Sequence, residues 1–123
     1  MLEVQSSAFV FIDVQKAFTA PNGTLANVYG KAELEPIEIA LERLLELALR
    51  ISELKHLYFV KSDYTPGQFT SNDLAHPYAY LCTGKNVVDG EWSLPTAVLS
   101  NRLAFTKKSK SVYSIPELRQ VLL

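Results

Sequence analysis

Three side chains in this sequence carry the means for chemistry: Asp13, Lys107 and the one cysteine, Cys82. Asp13 is the single charge in the run Ala8 to Val14 (AFVFIDV) and sits toward its carboxyl end. Lys107 follows a second apolar stretch, Leu103 to Thr106. An acid and a lysine delivered to one rim by separate strands can pair, and an acid perturbed in that way is a probabilistic marker of a site. The plainer reading of Asp13 is a strand-end carboxylate that accepts backbone hydrogen bonds. The plainer reading of Lys107 is a solvated rim, because Lys108 and Lys110 stand beside it. Cys82 offers a nucleophile only as its thiolate, and a lone cysteine serves as readily as a small, inert packing residue. Tyr64, Phe69, Tyr78, Tyr80 and Trp92 cluster in or near one long loop and either line an apolar pocket or cover a small core. Asp63 and His76 are too few for a zinc site, and no Cys/His cluster of ligand spacing exists, so neither a metal nor a cofactor is expected.

The elements that must position these residues follow from apolar periodicity. The β-branched and aromatic run Ala8 to Val14 has the pattern of a parallel strand covered on both faces. A turn-rich stretch follows, with Pro21-Asn22-Gly23 at its centre and Gly30 near its end. From Glu33 to about Leu54, Ile37, Leu41, Leu44, Leu45, Ala48 and Ile51 recur at helical spacing, with Pro36 in the first turn, where its missing N–H costs nothing. Leu34, Ile39, Leu47 and Leu49 widen the apolar surface toward a second contact. His56 to Val60 reads as a second strand, and so long a crossover implies parallel pairing. Ser62 through Val88 shows no sustained period, the mark of a functional loop. A short helix within Leu94 to Leu103, a third strand at Leu103 to Thr106 and a helix from Pro116 to Leu123 complete the order. Strand, helix, strand, loop, strand, helix is a doubly wound α/β pattern, in which sites gather beyond the carboxyl ends of the strands.

Composition narrows the partners. With 123 residues, 48% of them hydrophobic, the chain reads as one domain, residues 1–123. Twelve basic against thirteen acidic residues leave a formal charge of -1, which gives no footprint for nucleic acid. The amino terminus has an acid where a signal peptide is basic, and the apolar run after it is too short to span a bilayer. Met1 is therefore expected to belong to the folded protein, and one unpaired cysteine fits a reducing cytoplasm.

Four blocks carry a resemblance. Phe9-Val-Phe-Ile-Asp-Val-Gln-Lys-Ala-Phe18 with Asn22-Gly23-Thr24-Leu25 resembles the opening of the isochorismatase-like cysteine hydrolases, an apolar run into Asp-x-Gln-x-x-Phe. Val60-Lys-Ser-Asp-Tyr-Thr-Pro-Gly-Gln-Phe69 is similar to the segment after that family's second strand. Leu81-Cys-Thr-Gly84 to Gly90-Glu91 resembles the loop before its third strand. Phe105-Thr-Lys-Lys-Ser-Lys-Ser-Val-Tyr113 resembles its Lys-x-x-x-Ser-x-Phe block, with Tyr for Phe.

The resemblance implies a three-layer α/β/α, Rossmann-like fold whose parallel sheet holds the first three strands of a 3-2-1-4-5-6 order. It assigns Asp13 as the general base that takes a thiol proton, and Lys107 as the cation that holds the thiolate and the developing oxyanion. The implied reaction is hydrolysis of a small amide or related substrate, with Phe18, Tyr64, Phe69, Trp92 and Tyr113 as pocket residues. The family's nucleophilic cysteine would lie beyond Leu123, so the chain represents the amino-terminal half and is expected to be inactive alone. With three strands, Ala8 to Val14 becomes a sheet edge that a second copy or a separate chain should cover. A non-catalytic assembly protein is the alternative. A receiver-like signalling module is a weaker one, because Asp13 has no acidic neighbour.

Overall fold

The computed structural model describes residues 7–51, 53, 56–100 and 102–122. It is a mixed α/β fold built on three parallel strands: β1 (Phe9–Ile12), β2 (Leu57–Ser62) and β3 (Leu103–Lys107), in the order β1-β2-β3. In register, Phe11 faces Phe59 and Val60 faces Phe105. The carboxyl ends of β1 and β3 thus flank that of β2, which brings Asp13 and Lys107 to one rim.

Period-two alternation divides the strand side chains between two apolar clusters. Phe9, Phe11, Leu57 and Phe59 pack with Leu41, Leu44, Leu45, Ala48 and Ile51 of and just beyond α3 (Glu35–Arg50), and with Val98 of a later one-turn helix. Val10, Tyr58, Val60 and Phe105 pack with Ile115 and with Leu118 of the last helix, Pro116–Leu122. Helices therefore bury apolar faces on both sides of β2, whose residues Leu57 to Val60 are all buried. α3 takes the helix the periodicity predicts, with Glu35 and Glu38 in its first turn and Arg50 in its last, the charge order its dipole favours. Of the residues that widen its apolar surface, Leu34 is buried, whereas Ile39, Leu47 and Leu49 are exposed.

β1 is shorter and less covered than the sequence pattern implies. It stops at Ile12, because Asp13 turns into the left-handed region, and Ile12 is 44% exposed. The cause is its place in the sheet: among the described residues β1 pairs only with β2 and forms an edge.

Between β1 and α3 the expected loop contains α1 (Lys16–Thr19) and α2 (Thr24–Tyr29). Helices this short have no periodicity to read, and packing rather than propensity holds them. Gly23 is required between them: a Cβ there would lie 1.9 Å from the Lys16 carbonyl oxygen. After β2 the chain runs through consecutive four-residue turns, such as Asp73 to His76 and His76 to Ala79, which satisfy its backbone without regular structure. It then enters α4 (Val87–Gly90) and α5 (Thr96–Leu99). The helix expected within Leu94 to Leu103 is one turn only, bounded by Pro95 and Ser100, and α6 (Pro116–Leu122) follows β3. α3 ends at Arg50, with Ile51 leaving helical geometry as its cap, rather than near Leu54 as expected; the reading of Met1 and the helix end at Leu123 fall outside the described residues. No helix among the described residues is long and apolar enough to cross a membrane.

Candidate functional site

The site begins where β1 ends. Asp13 has φ 61°, a conformation Asp reaches more readily than most residues. Its amide donates to the Val60 carbonyl at 2.9 Å, so the residue stays fastened to β2 as the chain turns away. Two positions on, the wholly buried Gln15 takes over. Its Oε1 accepts from the Ser62 amide at 2.8 Å and its Nε2 donates to the Ser62 carbonyl at 3.1 Å. The side-chain amide thereby does for the last residue of β2 what a neighbouring strand would do. The remaining Nε2 hydrogen reaches the Asp89 carbonyl at 3.3 Å.

With Ser62 fixed, its hydroxyl completes a closed polar ring. Ser62 Oγ donates to Asp13 Oδ1 at 2.7 Å. Asp13 Oδ2 lies 3.2 Å from Lys107 Nζ, which also donates to Tyr64 Oη at 3.0 Å and to the Lys110 carbonyl at 3.3 Å. Tyr64 Oη and Ser62 Oγ are 2.9 Å apart. A serine hydroxyl has one proton and a carboxylate can only accept, so Ser62 gives its proton to Asp13 and Tyr64 gives its own to Ser62. The order Lys107, Tyr64, Ser62, Asp13 runs donor to acceptor and closes through the ion pair.

The two charged members differ in access: the Lys107 side chain is 3% exposed and that of Asp13 29%. Burial pulls the Lys107 pKa down, but the bond to Tyr64 and the charge of Asp13 outweigh it and hold the ammonium above its ordinary 10.5. The site is thus a solvent-reaching carboxylate beside a locked cation. Such a pair can take a proton from an incoming group and stabilise the negative charge that develops next to it.

Both residues line an open cleft of about 460 Å³, within the range of small-molecule sites. Tyr64 and Phe69, in edge-to-face contact at 4.7 Å, contribute to its walls together with Phe18 and Leu81. Tyr29 stands 6.1 Å from Tyr78, on which His76 stacks at 5.9 Å; all three line the cleft, and so does Lys110.

Of the residues singled out in the sequence, Asp13, Phe18, Tyr64, Phe69 and Lys107 meet here, and Trp92 and Tyr113 do not. Trp92 packs edge-on against Phe59 at 6.2 Å in the cluster beneath α3, tethered through the Gln15–Trp92 bridge. Tyr113 is 75% exposed, in a single 3-10 turn that follows β3. Tyr78 lines the cleft, but Tyr80 lies under the Lys85 ammonium instead. The three neighbouring lysines part company as well: Lys108 pairs with Asp63 at the surface, and Lys110 Nζ sits 4.9 Å over the Phe69 ring. Gln15, Ser62, Tyr29 and His76 escaped the sequence reading as site residues. For Gln15 a signal existed in Asp-x-Gln, whereas Ser62 and Tyr29 carry no pattern that marks them.

Cys82 stands behind the cleft wall, packed with Ala17 and Tyr64 and 2% exposed. Burial, and after it the charges of Asp89 and Asp13, push its thiol up to about 12. It is a protonated packing residue at neutral pH. Its unusual φ of 52° is held by its own backbone, whose amide donates to Asp89 Oδ2 at 3.0 Å and whose carbonyl accepts from Tyr64 at 2.8 Å. Asp89, wholly buried, also accepts from the Thr24 amide at 3.0 Å and from the Thr24 hydroxyl at 2.5 Å. One carboxylate thereby clamps α2, α4 and the long loop together. Among the described residues no group of three or more His, Cys, Asp or Glu is placed to hold a metal ion.

No protein-family model, curated protein or solved structure matches this chain. The family resemblance rests on its motifs alone.

Proposed function

We propose that the chain carries the base and the cation of an isochorismatase-like hydrolytic site that acts on a small amide or related substrate. The supporting observation is the Asp13–Lys107 pair, 3.2 Å apart at the carboxyl ends of two different strands and open to a cleft on the Asp13 side. In this reading the sheet is the first half of a Rossmann-like α/β/α arrangement of order 3-2-1-4-5-6. A thiol entering the cleft gives its proton to Asp13, and its sulfur attacks the amide carbonyl. The oxyanion that forms sits by the Lys107 ammonium. Collapse breaks the C–N bond, and the amine leaves with the proton from Asp13, after which water hydrolyses the thioester. Cys82 is not that thiol, because it is buried and protonated. No metal or cofactor takes part in this reading. A reducing cytoplasmic setting agrees with a single, unpaired thiol.

The test supplies the missing nucleophile from solution. A small thiol such as 2-mercaptoethanol and an activated anilide are incubated with the chain. Base catalysis by Asp13 should accelerate thiol-dependent cleavage roughly 100-fold, and Asp13→Asn should abolish the acceleration. An equal rate with Asp13→Asn would sink the reading.

A second reading, assembly without catalysis, draws on the β1 edge, where an uncharged strand ends in the exposed Ile12. A second copy or another chain that adds a strand there would remove an association-prone edge. Native mass spectrometry distinguishes the cases: a stable monomer counts against this reading.

A further inference from the structure

We infer that Tyr64 is the positioning residue of the Asp13–Lys107 pair: its hydroxyl fixes the Lys107 ammonium at the cleft and thereby keeps the cation charged and aimed. This inference rests on the proposal that Lys107 meets the developing oxyanion, and it adds the residue through which that cation is held.

Hydrogen-bond accounting is the first argument. The Lys107 ammonium has three protons, and three oxygens surround it: Tyr64 Oη at 3.0 Å, Asp13 Oδ2 at 3.2 Å and the Lys110 carbonyl at 3.3 Å. The shortest contact is with the most firmly held partner. Asp13 ends an edge strand with 29% of its side chain exposed, and Lys110 lies in an exposed bend after β3. Tyr64 is 8% exposed, braced edge-on by Phe69 at 4.7 Å and packed with Ala17 and Cys82. Its amide donates to the Cys82 carbonyl at 2.8 Å, and its ring also faces the ammonium, with Nζ 5.5 Å from the centroid.

The second argument is the fixed direction of that hydroxyl. A tyrosine proton can turn between acceptors, but here it goes to Ser62 Oγ at 2.9 Å, because Ser62 has given its own proton to Asp13. Ser62 is in turn clamped at both backbone groups by Gln15. The Tyr64 oxygen is therefore left as an acceptor, and Lys107 is its donor. Without that oxygen one buried N–H has no partner, which favours the neutral amine. The other titratable groups around Lys107 do not replace it. Asp13 reaches it from the end of β1, and Cys82, in the long loop, has its thiol raised to about 12. Asp63, beside Tyr64, is engaged by Lys108, and Lys110 Nζ sits over the Phe69 ring. Asp13 supplies this cation with a countercharge, and Tyr64 supplies the fixed oxygen.

The test follows Lys107 directly, by NMR of its Cε in the chain made with isotope-labelled lysine and titrated to alkaline pH; Lys107→Met identifies the signal. Tyr64→Phe keeps the ring and its packing and removes only the hydroxyl. Lys107 should then titrate closer to its ordinary 10.5 than it does in the wild-type chain. Ser62→Ala, which frees the Tyr64 hydroxyl to turn, should move it in the same direction by less. Tyr113→Phe, at an exposed tyrosine outside the cleft, should not move it. In thiol-dependent cleavage of the activated anilide, Tyr64→Phe should lower kcat roughly tenfold with KM unchanged, and the alkaline limb should come down with the lysine. An unmoved Lys107 titration in Tyr64→Phe, or in Ser62→Ala should the first variant not fold, overturns the inference, and so does an effect confined to KM. A wild-type chain that cleaves nothing while its lysine responds removes the hydrolytic reading alone. A cleaving chain whose Lys107 signal ignores Tyr64→Phe removes this inference alone.

Discussion

Two aspartates lie close to one another in the fold and are treated in opposite ways. Asp89 is wholly buried and accepts only from neutral donors, the amides of Thr24 and Cys82 and the Thr24 hydroxyl. Asp13 faces an ammonium and a serine hydroxyl and keeps 29% of its side chain exposed. The first arrangement engages both carboxylate oxygens to hold loops together, and its burial leaves no approach for another molecule. The second spends two oxygens on partners at one side and leaves the other side open. Burial with full satisfaction marks a structural acid, and partial access beside a fixed countercharge marks one available for proton transfer.

That contrast predicts a hierarchy of stability effects. Asp89→Ala strands three donors in the interior and should cost roughly 4 kcal/mol in urea denaturation, enough to threaten folding. Gln15→Ala leaves the amide and carbonyl of Ser62 without partners and should cost about 2–3 kcal/mol by the same measurement. Asp13→Asn leaves one acceptor oxygen where Ser62 and Lys107 each used one and removes the countercharge of the buried ammonium, yet the site stays open to water on the Asp13 side, so it should cost roughly 2 kcal/mol. A cost for Asp13→Asn equal to that of Asp89→Ala would erase the distinction.

Two further effects appear only at alkaline pH. Lys107 is held above its ordinary 10.5, so its contribution is complete below that pH and fades as pH climbs through the raised value. The stability difference between the wild-type chain and Lys107→Met should therefore be flat up to 10.5 and shrink beyond it. The Cys82 thiol, raised from 9.0 to about 12, likewise favours the fold below pH 9, and that advantage declines between those two values. Cys82→Ala should flatten this earlier part of the decline. In native protein the thiol should resist iodoacetamide at neutral pH and react on unfolding; rapid native alkylation would contradict its burial.

The sequence made the long elements readable for a physical reason. α3 repeats its apolar spacing over four turns, and β1 and β2 are runs of β-branched and aromatic residues that no loop requires. Asp13 and Lys107 were visible because each interrupts or ends such a run with a charge. The four- and six-residue helices α1, α2 and α4 were harder, since so short a helix has no period, and α1 and α2 are held by Gly23 and Asp89 rather than by propensity. The aromatic residues of the long loop illustrate the same limit. Tyr64 and Trp92 look alike in sequence, yet one faces the cleft and the other packs beneath α3, because the Gln15 bridge pulls Trp92 inward. Ser62, a small polar residue between two charged ones, gained its role only when the Gln15 amide fixed its backbone.

The closed ring around Asp13 has a further consequence. Its two carboxylate oxygens are not equivalent: Oδ1 is tethered to a hydroxyl fixed by the sheet, and Oδ2 faces an ammonium that Tyr64 and the Lys110 carbonyl also hold. If a proton arrives on Oδ2, the lysine keeps those two other partners and Oδ1 keeps its tether. The carboxyl group then changes charge without losing its orientation, so the acid stays aimed through a complete cycle of protonation and release.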